Sequence, residues 1–84
     1  MARIIDGEQM NIVGDVIREY RAKRKMSQQL LSDKLELLGV YVCRGSISRI
    51  EDKSRTVTDI ELYAIAKVLD IPWQELSPEK QFNL

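Results

Sequence analysis

The side chains in this sequence best placed to do chemistry are arginines and serines. Arg44, Gly45, Ser46, Ser48 and Arg49 stand close together, and a guanidinium fork makes paired hydrogen bonds to guanine O6 and N7, to phosphate or to carboxylate. A second group of donors follows at Lys53, Ser54 and Arg55. Catalysis has little to work with. There is no histidine, hence no histidine general base and no Cys/His metal set, and we find no phosphate-cradling glycine loop or nucleophile–base pair. The lone cysteine, Cys43, has no partner for an internal disulfide. Ahead of a helix its thiol is a candidate for a lowered pKa, against the plainer reading of a small residue filling a turn. The sequence therefore reads as non-enzymatic, with no metal and no cofactor.

Those donors need rigid elements to aim them, and apolar spacing supplies the elements. Val13, Val16, Ile17 and Tyr20 recur at i, i+3, i+4 and i+7, predicting a first helix over about 12–25 with Asn11 as its N-cap. Ser27 precedes a second run through Leu31, Leu35 and Leu38, with Leu30 and Leu37 beside it, and Gly39 suits a left-handed stop, predicting a helix over 27–38. In a short third helix, 44–52, Ile47 and Ile50 face inward while Arg44, Ser46, Ser48 and Arg49 face out. Thr58 caps a fourth helix whose apolar stripe is Leu62, Ile65, Ala66 and Leu69, and Pro72 fits the first turn of a fifth. Val40 and Val42 alternate, but so short a segment has no partner strand. The fold class is all-α, a bundle of five helices.

Composition sets the outer bounds. The 84 residues are 44% hydrophobic and 31% charged, with 13 basic and 13 acidic side chains. A chain this short closes one modest core and places function on its surface. No apolar run approaches the roughly 20 residues of a membrane span and no signal peptide is apparent, so the expected location is the cytoplasm. The balanced total conceals polarity: residues 18–55 hold ten basic side chains against five acidic ones, and both flanking segments are acidic. Basic runs are commonly solvated helix faces. The alternative is a nucleic-acid surface, and the pair of helices two and three, joined by a glycine-containing turn, has helix-turn-helix grammar.

Over residues 11–76 the chain resembles the lambda repressor and Cro-like (XRE-type) helix-turn-helix domains. The resemblance is carried by Ile17-Arg18-Glu19-Tyr20-Arg21, by Ser27-Gln28, by Gly45-Ser46-Ile47-Ser48-Arg49-Ile50-Glu51 and by Ala64-Ile65-Ala66-Lys67-Val68-Leu69. It implies a helix 3 that enters the major groove, with base contacts from Arg44, Gly45, Ser48 and Arg49. It also implies phosphate contacts from Ser27, Gln28, Ser46, Lys53, Ser54 and Arg55, and a structural ion pair of Arg21 with Glu51. Arg24 and Lys25 are as well read as helix-end cations.

The chain departs from the family in two places. The interval from Gln28 to Glu51 exceeds the usual family spacing, with the extra residues in Leu37 to Cys43, lengthening helix 2 or its following turn. Tyr41 lies there, expected to pack in or against the core, with a phosphate or partner contact as the alternative. Lys53 stands where the family often has glycine, so it must avoid or tolerate a positive φ.

The domain plan is an N-terminal arm over 1–10, the helix-turn-helix domain over 11–76 and a tail over 77–84. Trp73 and Leu76 are expected to pack within the chain, and Phe82 and Leu84 to offer a dimer contact. The function expected is a sequence-specific double-stranded DNA-binding transcriptional regulator, a homodimeric repressor on an inverted-repeat operator. The alternative is a protein-interaction module, such as an antitoxin or partner-binding regulator, that does not itself read bases.

Overall fold

A computed structural model describes residues 9–78. Phe82, Leu84 and all of the expected N-terminal arm except residues 9 and 10 lie outside them. Four α-helices follow one another, α1 (Gly14–Lys23), α2 (Gln28–Leu37), α3 (Arg44–Glu51) and α4 (Asp59–Leu69), and a 3-10 turn spans Trp73–Leu76. No strand occurs among the described residues. α1 and α2 each pack against both α3 and α4. Ile17, Leu31, Leu35, Ile47, Ile50, Ile65 and Leu69 are fully buried where the four meet. These are the positions the helical period marks as inward.

Three helix starts have clear local causes. The Ser27 hydroxyl accepts from the Leu30 amide at 3.0 Å. Thr58 and Glu61 form a reciprocal capping box at the head of α4, which satisfies two amides that the first turn leaves unpaired. α1 starts later than its apolar stripe suggests. Asn11 Oδ1 accepts from the amides of Val13 and Gly14 at 3.0 and 2.9 Å, so Val13 becomes the N-cap residue while remaining buried.

The helix ends share one device. After α2, Gly39 has φ +82°, and the amides of Gly39 and Val40 bond the carbonyls of Glu36 and Leu35, a Schellman stop. α1 and α3 end in the same bonding pattern, but their left-handed residues are Lys25 and Lys53, at φ +57° and +66°. Asp70 does the same after α4 at +56°. Lys53 thus tolerates the positive φ.

Two expectations need correction. The fifth helix is a single 3-10 turn: Pro72 precedes it in extended conformation, and the Glu75 amide bonds the Pro72 carbonyl in the i→i+3 pattern. Tyr41 does not pack. It is 77% exposed, because in the connection between α2 and α3 its neighbours Val40 and Val42 take the inward positions. Trp73, expected to pack within the chain, stacks on Tyr63 while staying half-exposed, and Leu76 is buried.

Candidate nucleic-acid interface

α3 lies on the bundle through Ile47 and Ile50 and presents its other faces outward. Arg44, Gly45 and Arg49 are exposed, and Ser46 and Ser48 half-buried. Arg49 Nη2 donates to the Ser46 hydroxyl at 3.1 Å, which orients one arginine along the helix surface. The Arg44 side chain has no hydrogen bond or ion pair among the described residues. A Cβ at Gly45 would meet only Arg49 Nη1, at 3.7 Å, an ordinary contact. Nothing among the described residues therefore requires a glycine there.

The orientation of α3 is fixed at its far end by Glu51, whose carboxylate is buried with the residue 1% exposed. Arg21 grips it with Nε at 2.6 Å and Nη2 at 3.0 Å. Gln28 Nε2 adds a bond at 3.0 Å, and Arg18 Nε approaches to 3.6 Å. The hydrogen bond to Glu51 raises the Arg21 pKa above its ordinary value. The third Arg21 nitrogen donates to the Met26 carbonyl at 2.8 Å. One carboxylate thus ties α3 to α1 and to the start of α2, and this closed set makes desolvation tolerable. Gln28, which the resemblance puts at a phosphate and also as a brace of α3, makes the bracing contact through one bond of its amide nitrogen.

Other ties are invisible to hydropathy. Asn11 Nδ2 donates to the carbonyls of Ile50 and Arg55 at 3.0 and 2.8 Å, holding the end of α3 and the loop beyond it. At Gly14 a Cβ would collide with the Ile50 carbonyl oxygen and lie 2.8 Å from that of Glu51. The Ser32 hydroxyl donates to the Val42 carbonyl at 2.7 Å, anchoring the connection into α3. Arg24, read as a helix-end cation, bonds the Leu69 and Asp70 carbonyls at 2.7 and 3.1 Å, closing α1 against the end of α4. A polar residue one turn ahead of an apolar stripe was the only sequence signal for Asn11, and Gly14 had none.

The loop after α3 brings Lys53, Ser54 and Arg55 near the helix end but occupies them. Lys53 Nζ lies 2.7 Å from Asp15 Oδ2. Ser54 donates from its hydroxyl to Asp52 Oδ1 at 2.6 Å, which holds the Asp52 carboxyl below its ordinary pKa. Arg55 bonds both carboxylate oxygens of Glu61 at 3.0 Å. This hydrogen bonding lowers the Glu61 pKa and raises that of Arg55. At the opposite end of α3, Cys43 is its exposed N-cap residue, with Sγ 3.4 Å from the Ser46 hydroxyl. Hydrogen bonds from the Ser46 side chain and amide, then from the Gly45 amide, lower the thiol pKa.

An outward helix of donors, rigidly seated from behind, is suited to binding a polyanionic groove. No metal-binding cluster of His, Cys, Asp and Glu occurs among the described residues, and no helix there is long and apolar enough to cross a membrane. Compared with known proteins, residues 17–76 match the family model described as helix-turn-helix. The match runs from the middle of α1 to the end of the 3-10 turn. No curated protein matches the chain significantly.

Proposed function

Because the chain belongs to the lambda repressor-like family of helix-turn-helix DNA-binding domains, we propose that it is a sequence-specific regulator that lays α3 in the major groove of duplex DNA. Arg44, Gly45, Ser48 and Arg49 face the base edges in this reading. Arg44 carries it furthest: an arginine on the first turn of α3 whose side chain has no hydrogen bond or ion pair among the described residues is free to make a bidentate contact to guanine. Gly45 beside it lets the backbone approach closely, in keeping with the absence of any internal demand for glycine.

Ser27, Gln28, Ser46, Lys53, Ser54 and Arg55 are the proposed phosphate contacts. Ser27 and Gln28 open α2, whose N-terminal amides and positive dipole end favour a phosphate. Lys53 and Arg55 would exchange or share their carboxylate partners on binding. Such contacts give register and affinity, and the released counterions make binding fall steeply with salt.

The regulator acts as a homodimer on an inverted repeat, its two α3 helices entering successive major grooves about 34 Å apart, and represses by occupying that site. The test is selection from random duplex DNA with the purified chain, followed by sequencing. Enrichment of an inverted repeat with half-sites one helical turn apart is expected. Recovery of unselected sequence would contradict base reading and favour a protein-interaction module.

A further inference from the structure

We infer that the open apolar groove between α4 and the α2–α3 connection is where a second copy of this chain docks, with α4 antiparallel to α4 of the partner subunit. This rests on the dimeric reading above and names the surface that reading lacks.

The groove is lined by Leu38, Ile60, Tyr63 and Trp73, with Asp59 and Lys67 at its ends. Ile60, Tyr63 and Trp73 are 68%, 57% and 52% exposed, an arrangement of large apolar side chains that marks an interaction surface. The Tyr63 and Trp73 rings are already stacked, with centroids 6.2 Å apart, so docking would order little that is not ordered already.

Charge identifies the occupant. Asp59 and Lys67 stand at opposite ends of α4, two turns apart, with Tyr63 midway. Neither has an ion-pair partner in its own chain among the described residues. A two-fold axis crossing α4 at Tyr63 brings Asp59 against Lys67 of the partner subunit, and the reverse pair forms by symmetry. It also sets the two Tyr63 rings together over the apolar floor. A surface whose opposite charges are equidistant from an aromatic centre is complementary to itself, as an isologous interface must be.

The experiment is sedimentation equilibrium of the full chain and two charge variants, Asp59→Lys and Lys67→Glu. The wild type should dimerise. Each variant alone should self-associate at least about tenfold more weakly, because both symmetric pairs become like-charged. Mixed one to one, the variants should recover wild-type affinity as a heterodimer, since both pairs are then opposite in charge. Recovery also shows that both variants are folded.

A wild-type dimer indifferent to either change would overturn this surface and leave the dimeric regulator standing. A monomeric wild type would overturn both the surface and the dimer, and would give the groove to another occupant, the chain's own residues 79–84 or a different protein. DNA selection remains a separate readout in either case.

Discussion

The two sides of the bundle differ in how their exposed and polar groups are satisfied. Around α3 the interior polar groups are closed within the chain: the Glu51 carboxylate takes Arg21 and Gln28, and the Asn11 amide takes two carbonyls. Along α4 the exposed residues are left open, with Tyr63 and Trp73 stacked only on each other and Asp59 and Lys67 without ion-pair partners among the described residues. The first arrangement presents a rigid helix to a large, uniform polyanion, for which orientation matters more than local fit. The second leaves apolar area and charge that the proposed second copy would match. Rigidity on one side and incompleteness on the other are what the proposed two-fold DNA-binding unit would require.

The sharpest way to break the contrast is to remove the Glu51 carboxylate. Glu51→Ala leaves the Arg21 guanidinium and the Gln28 amide without their partner, and should cost about 3 kcal/mol or more in urea unfolding. Asp59→Lys, on the open side, should cost well under half of that. Next comes the contact of α1 with the end of α3. Gly14→Ala pushes a methyl group into two carbonyl oxygens and should destabilise by about 2 kcal/mol, again by urea unfolding, with α4 variants unaffected.

Gly14 also shows what the sequence could not disclose. Its need for glycine lies in a close approach to residues far along the chain, and no local pattern encodes that. Ile47, Ile50, Ser27 and Thr58 were legible because helical period and capping are local. The stops at Lys25 and Asp70 were not, since only Gly39 carries the residue type that announces a left-handed end, and the one at Lys53 was raised only by resemblance to a family that often has glycine there. The pairing of Arg21 with Glu51 came from family resemblance, as spacing alone does not join residues on different helices. The proposed donors Lys53 and Arg55 were legible as charges, but their intramolecular carboxylates were not.

A third prediction concerns pH. The Glu61 carboxyl is held below its ordinary value of 4.5 by Arg55, so its contribution to stability is complete above that pH and is lost as pH falls through the lowered folded-state value. Urea midpoints should therefore drop on acidification below about pH 4.5. Glu61→Gln should lower stability at neutral pH by about 1 kcal/mol and flatten that part of the acid limb. A smaller effect of opposite sign is expected at the end of α1. Lys25 is exposed in a left-handed conformation, and Lys25→Gly should stabilise by about 0.5 kcal/mol in the same assay.

The central claim is that α3 reads bases through a residue that the fold itself does not use. It is tested most directly by titrating wild type and Arg44→Ala against the selected duplex and a scrambled duplex at two salt concentrations. The account predicts a loss for Arg44→Ala of about tenfold or more on the selected duplex, a much smaller loss on the scrambled one, and an unchanged urea midpoint. Equal losses on both duplexes, or none on either, would contradict it.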